Sequence, residues 1–416
     1  MMNKKLTALF LPCLAAILLA VGCKKEEFQQ LPHGEPVPYI DTVKHDLNIL
    51  LAMSPYKLFY AAWQKSHVSE VMTANGGSYK YTVLAPDDAA MQAAGFTADA
   101  IGTKTAEELD SLVLFHVLEE QLDTLVLRKQ KGNTRKKSLL YNRDLKEDLN
   151  TIGSNVTYPV DYNYKHYVST AANGSLVVDG KTIGATKPFY ATNGVIWPVN
   201  ALPQRPTQHV LDLMATDPRF SVFSELYRQT FDLWLEASMA SFPRTTFANL
   251  ETVDGLVRTE AFFAPTNEAF RNAGFNSVAD LMTLNERSMP YFDWDYFEMR
   301  NGMFVTDTLL SYHVWGRFYA PTGGWGPGAT SFAVFFTNEL TNELIGDFSV
   351  NTVTYDGLPA YKMPLLFGKT SSGQISVKAK GSTSPDAIIT EGDIMTFEGP
   401  VHAVDHLLIP KDLRLN

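Results

Sequence analysis

A chain of 416 residues that is 45% apolar and 19% charged carries enough apolar material for sizeable cores, which excludes an intrinsically disordered protein. Its length suits two domains of about 150 to 200 residues each. A net charge of -10 argues against a nucleic-acid partner, because phosphate binding needs a positive face.

The first stretch holds Lys4, Lys5, an apolar run from Leu6 to Val21 that includes Cys13, and then Leu19–Glu27, LAVGCKKEE. A basic start, a short apolar run and small residues before a cysteine have the layout of a secretory signal. Ala20-Val21-Gly22-Cys23 resembles the lipobox of a bacterial lipoprotein. That resemblance implies a signal peptide over residues 1–22 and a lipid on Cys23; an ordinary cleaved signal is the other reading. With Cys13 removed and Cys23 acylated, no thiol would remain for a disulfide, a metal or a nucleophile. Lys24–Glu27 resembles the surface-export signal of lipoproteins in the Bacteroidetes group. It implies a cell-envelope protein, lipid-anchored to the outer membrane and surface-exposed. Residues 23–45, with Pro32, Pro36 and Pro38, read as a stiff tether.

The first domain is expected over residues 46–206. Leu47–Met72 reads as two helices broken at Pro55, with apolar residues at spacings of three and four through Leu58, Phe59, Ala62 and Trp63. Tyr81–Phe96 reads as a buried strand ending in Ala85-Pro86 and feeding a helix. Asp87 can cap that helix, and Gly95 suits the left-handed position that stops it. Glu108–Leu118 predicts an amphipathic helix carrying His116. Leu127–Lys137, LRKQKGNTRKK, is basic, and Gly132 and Asn133 suggest a solvated hairpin, preferred over a polyanion site. From Leu122 to Ile196, β-branched runs punctuated by Gly and Asn predict strands in hairpins. Ala191–Pro203, with Asn193 and Gly194, closes the domain.

Residues 207–412 repeat this order with insertions. His209–Leu226 matches the opening helices, with Pro218 in the place of Pro55. Ala261–Phe275 repeats the Ala-Pro box, with Pro265, Thr266 as cap and Gly274 as stop. Leu309–Gly316 places Tyr312-His313 opposite Phe115-His116. Thr396–Pro410 matches the closing stretch, with Gly399 for Gly194. The offset between copies grows from 163 at the prolines to 179 at the boxes, 197 at the histidines and 205 at the glycines. A unit used twice means two copies of one domain. The clearest insertion lies between Asp280 and Thr308.

An apolar strand ending in Ala-Pro-Thr-Asn-x-Ala-Phe, a later Tyr-His pair and a closing Asn-Gly-x-Ile-His-x-Val-Asp resemble the fasciclin (FAS1) domain. The second copy has the first motif intact, with Asn267, keeps Tyr312-His313, His402 and Asp405, and has Glu398-Gly399 for Asn-Gly. The first copy has Asp87-Asp88, Met91, Phe115, Trp197 and Asn200 at motif positions and keeps Asn193-Gly194. The resemblance spans residues 46–412. It implies an α+β fold of two tandem FAS1 domains, each a β-wedge or sandwich packed with several α-helices, and an extracellular role in adhesion.

Little in the chain has the pattern of catalysis. HExxH and GxSxG are absent from the sequence. Gly180-Lys181-Thr182 and Gly368-Lys369-Thr370 lack the glycine that a phosphate-binding loop requires five residues earlier, where Ser175 and Met363 stand. Gly323–Gly328 reads as a flexible turn. His116 and His313, each after an aromatic residue, read as buried hydrogen-bonding groups. His402 and His406 stand four apart, but the surrounding pattern is strand and turn, so a metal pair is not expected. The recurring Asp and Asn of the closing motif are expected to satisfy backbone groups.

Tyr291–Phe304, YFDWDYFEMRNGMF, sits in the inserted segment. Rings interleaved with Asp293, Asp295 and Glu298 suit a carbohydrate surface, with Trp294, Tyr296 and Trp325 stacking on sugar faces while carboxylates take hydroxyls. Packing of these rings onto the wedge is the preferred alternative. The chain is therefore expected to bind rather than catalyse, without a cofactor. Its partners are expected to be the membrane, through its lipid anchor, and an extracellular protein or matrix. An accessory glycan-binding role in polysaccharide capture is the alternative.

Overall fold

The computed structural model describes residues 43–76, 78–122, 124–150, 157–237, 256–257, 261–296, 298–300, 302–315, 334–346, 349–350 and 361–415. Cys23, Trp325 and the Gly323–Gly328 loop lie outside them.

The opening stretch forms helices Leu47–Met53, Lys57–Lys65 and Val68–Ala74, three where two were expected. Pro55 makes the first break. The second falls at Ser66-His67, where Asp110 Oδ1 accepts the His67 N–H at 2.8 Å and Oδ2 faces His67 Nδ1 at 2.8 Å. That break is held by a side chain 43 residues away, which local periodicity does not register.

Strands β1 (Tyr81–Pro86), β2 (Val117–Leu118), β3 (Thr134–Asn150), β4 (Thr157–Thr170), β5 (Leu176–Val178), β6 (Lys181–Thr182), β7 (Phe189–Ala191) and β8 (Gly194–Val199) form one sheet. Its order is β6-β5-β4-β3-β2-β1-β8-β7, and β9 (Leu256–Val257) pairs with β3. The box strand β1 runs parallel to the closing strand β8, from Tyr81 opposite Gly194 to Pro86 opposite Val199. It runs antiparallel to β2 on its other side.

The second copy rebuilds this centre. The strands are β10 (Ala261–Pro265), β11 (Tyr291–Asp293), β12 (Glu298–Arg300), β13 (Val314–Trp315), β14 (Ser349–Val350), β15 (Tyr361–Lys362), β16 (Leu365–Lys369), β17 (Ile375–Ala379), β18 (Ala387–Met395) and β19 (Pro400–Val404). Its sheet order is β13-β10-β19-β18-β17-β16, with β11–β12 and β14–β15 as separate pairs. The box strand β10 lies parallel to the closing strand β19 and antiparallel to β13, as β1 does to β8 and β2.

Each box strand is buried on both faces, and alternation of side chains sends it into two cores. Tyr81, Val83 and Ala85 meet Phe59, Trp63 and Leu109 of the helices, while Leu84 meets Trp197 and Val195 on the other side. Likewise Phe262 and Ala264 join Phe223 and Phe270, while Phe263 joins Leu365 and Val377. The α+β expectation therefore holds as a sheet with helices on one face and further strands on the other.

Two expectations are corrected. Glu108–Leu118 is not one helix: helix Ala106–Val113 passes through a short 3-10 turn, Leu114–His116, into β2. In the second copy the helix is Val305–Ser311, and Val314 already lies in β13. Pairing with the box strand overrides the apolar helical spacing of these residues. The basic stretch is not a hairpin either. It is the end of helix Thr124–Lys129 and the start of β3, and Gly132-Asn133 joins them.

Candidate functional site

The motif residues build upward from the box. Pro86 and Pro265 end their strands, and the next amide, of Asp87 or Thr266, donates to Val199 O at 2.9 Å or Val404 O at 3.0 Å. Asp87 Oδ1 then accepts the Ala90 amide at 2.7 Å, and Thr266 Oγ1 accepts that of Ala269 at 3.4 Å, so each caps its helix. The following residue ties this helix to an earlier one. Asp88 Oδ1 accepts the Leu58 N–H at 2.9 Å, and Asn267 Oδ1 accepts the Val222 N–H at 3.0 Å. The Asp-Asp of the first copy thus does the work of Thr-Asn in the second.

His116 is buried. Its Nδ1 donates to Leu112 O at 2.8 Å, its ring lies 5.7 Å from that of Phe59, and Nε2 has no hydrogen-bond partner among the described residues. His313 donates from Nδ1 to Phe263 O at 2.8 Å and accepts the Leu408 N–H at Nε2, at 3.0 Å. Burial pushes these imidazoles down to about 3 and about 4, so both are neutral at physiological pH. Tyr312 is half-buried, and loss of water raises its phenol above the usual value. His402 is buried, with Nε2 donating to Phe335 O at 2.9 Å and Nδ1 accepting the Asp393 N–H at 3.3 Å. His406 turns to Asp405 instead, Nδ1 to Oδ1 at 2.9 Å, so the two rings do not face a common point.

The closing motif holds the opening helix. Asn193 Oδ1 accepts the Leu47 N–H at 2.9 Å, and in the second copy Glu398 Oε2 accepts the Val210 N–H at 2.9 Å. A Cβ on Gly194 would collide with the Tyr81 carbonyl, so only glycine lets β8 approach β1 this closely. Asp405 Oδ1 accepts the Ile388 N–H at 2.7 Å. Trp197 is buried where the second copy has His402, and Asn200 is exposed where it has Asp405. These motif residues act as struts.

The inserted hairpin β11–β12 differs. Tyr291 pairs with Arg300 and Asp293 with Glu298. Asp293 Oδ1 accepts the amides of Asp295 and Tyr296, at 3.0 and 3.3 Å, and Oδ2 lies 3.3 Å from Arg300 Nε. That turn lifts the next residues outward. Trp294 is 53% and Tyr296 is 70% exposed, so the preferred expectation that these rings pack onto the wedge is corrected. Trp294 meets Phe292 edge to face at 4.7 Å, and the Arg300 guanidinium sits 4.9 Å from the Tyr296 ring. Asp293 is spent on the turn, which leaves Asp295 as the exposed carboxylate beside the rings among the described side chains. Trp325 lies outside the described residues.

Motif spacing missed the contacts between the copies. Glu339, nearly buried, accepts from Asn133 N and Nδ2, both at 2.7 Å, and Tyr167 packs on Phe336 at 5.1 Å. It also missed His166, whose Nδ1 faces Asp179 Oδ2 at 2.7 Å and whose Nε2 donates to Phe115 O at 2.8 Å. Asp179 has a positive φ of 50°, a backbone state that Asp tolerates better than most residues; Val-Asp-Gly was the available signal.

Residues 54–202 match the fasciclin domain family. They have its fold, a curled sheet with several helices. A solved structure of a FAS1 domain pair from the insect cell adhesion molecule fasciclin I is 12% identical, with a TM-score of 0.31; the match covers 86% of this chain and 98% of that one. No curated protein matches the chain. FAS1 domains are adhesion and binding modules, in keeping with a non-catalytic binding role.

Proposed function

We propose that this chain is a surface-presented adhesion protein, held by lipid on Cys23, whose contact with an extracellular protein or matrix is the hairpin β11–β12. The observation that carries the reading is the exposure of Trp294 and Tyr296, 53% and 70%, on a hairpin that the first copy lacks. Trp and Tyr are enriched among the anchors of protein interfaces. The Trp294→Ala/Tyr296→Ala chain should keep its melting temperature and bind whole cells or matrix about tenfold more weakly. Unchanged binding overturns the assignment of the hairpin. Cys23→Ser should move the protein from the membrane pellet to the supernatant; recovery in the pellet overturns the anchor.

Asp295 beside the two rings favours a second reading, a glycan-binding accessory protein. Retardation in polysaccharide gels, lost in the same double variant, would select it over a protein or matrix partner.

A further inference from the structure

We propose that helix Thr124–Lys129 and the segment after it form a docking face for an anionic lipid bilayer. Leu127 turns inward and is 2% exposed, joining the core of Leu122, Val168 and Trp197. Leu125 and Val126 turn outward and are 65% and 50% exposed. Leu125 stands three and four residues before Arg128 and Lys129, so the aliphatic chain and the two cations are neighbours on the helix surface. Lys131, Arg135 and Lys137 follow, all exposed.

Leu127–Lys137 holds six cations and no carboxylate, in a chain of net charge -10. Glu120, two residues past β2, pairs with Lys136 at 2.8 Å, and Glu119 takes the Tyr141 hydroxyl at 2.7 Å. Beside the helix is an open cleft of about 530 Å³, lined by Arg128, Gln130 and the turn Thr170–Gly174.

The occupant follows from this combination. Cations alone would suit any polyanion. Two outward aliphatic side chains set among them suit a surface with acyl chains beneath charged headgroups, because each buried methylene adds affinity there. The remaining negative charge of the protein would be repelled by the same surface and would orient this face toward it.

The full-length Cys23→Ser chain tests the inference through the ratio of its partitioning onto two kinds of vesicle. One is phosphatidylcholine alone, and the other is phosphatidylcholine and phosphatidylglycerol in equal parts. The leader, with its Lys4 and Lys5, contributes equally to parent and variants, so the ratio is compared between them. The unaltered face should prefer anionic vesicles, less so at high salt. Arg128→Gln/Lys129→Gln/Lys131→Gln should lower that preference about a hundredfold. Leu125→Ser/Val126→Ser should lower anionic binding about tenfold, with the cations in place. An anionic preference that the triple variant leaves unchanged overturns the proposal. So does loss in the triple variant with no change in the aliphatic one, which would mark a soluble polyanion as the ligand.

Discussion

Glu398 Oε1 lies 2.6 Å from His209 Nδ1, while its other oxygen caps the helix that follows. The hydrogen bond to this carboxylate is the main reason the His209 imidazolium is held above its ordinary range. The folded state therefore binds the proton more tightly than the unfolded chain. The stabilisation is complete below pH 6.5 and is lost as pH rises from there through the raised folded value. Glu398→Gln keeps an acceptor for the Val210 amide but removes the charge. Urea midpoints of the parent should fall above pH 6.5, and those of the variant should fall less. Parallel curves would show that the pair is not coupled to folding.

His313 carries the opposite sign. Both ring nitrogens are engaged in the neutral form, and protonation would remove the acceptor that holds the Leu408 amide. With the folded value pushed to about 4, the unfolded chain takes its proton first. Its stabilisation is full above pH 6.5 and falls by about 3 kcal/mol as pH drops through 4. His116 and His402, also lowered by burial, act in the same direction. Denaturant midpoints from pH 7 to 4 should fall more gently for His313→Gln than for the parent.

In the second box, Phe270 is 1% exposed in the core with Phe262 and Leu281. Phe270→Ala should cost about 3–5 kcal/mol. Thr266→Ala should cost about 1 kcal/mol, the value of a lost helix cap. Chemical denaturation gives both figures, and a near-neutral Phe270→Ala would contradict the burial of that ring.

Gly95 and Gly194 separate two demands on glycine. Gly95, at φ +83° after helix Asp88–Ala93, has open space where a Cβ would stand. Gly95→Ala meets only the left-handed penalty, about 1–2 kcal/mol. Gly194→Ala must also push β8 away from the Tyr81 carbonyl, so it should cost more and lower expression of folded protein. Equal losses in thermal unfolding would show that β8 moves aside freely.

What was legible in the sequence was local. The box reads from adjacent residues: an apolar strand, a cap one residue after the proline, and a glycine stop. Phe96 N–H to Met91 O and Phe275 N–H to Phe270 O, at 2.9 and 3.0 Å, close both box helices alike. The helix-to-strand switch at His116 was not legible, because β2 exists only through pairing with its distant neighbours β1 and β3. The candidate site was legible as an aromatic stretch but not as an exposed one. Its exposure depends on the Asp293 turn, whose chemistry lies in a side chain and not in apolar periodicity. Cys23 and Trp325 fall outside the described residues, so the anchor and the third ring stand on sequence alone.

Contacts between the copies were the least legible, since Asn133 and Glu339 are 206 residues apart. The Glu339 carboxylate fills the space beside Gly132, where a Cβ would stand 2.8 Å from Oε1, and it also accepts the Phe336 N–H at 3.2 Å. Burial raises its pKa, yet its hydrogen bonds are satisfied across both copies. Glu339→Ala strands the Asn133 amide and should cost about 1–3 kcal/mol. The second copy keeps its own sheet and cores without that contact. Residues 207–416 expressed alone should therefore melt in one cooperative transition. In the full chain, calorimetry should show the melting of Glu339→Ala resolving into two transitions where the parent gives one. A fragment that melts broadly would mean that the copies share a core and that the boundary near Pro206 is misplaced. A single transition in Glu339→Ala would mean that other contacts, among them Tyr167–Phe336, Tyr162–Phe397 and the β3–β9 pairing, couple the two.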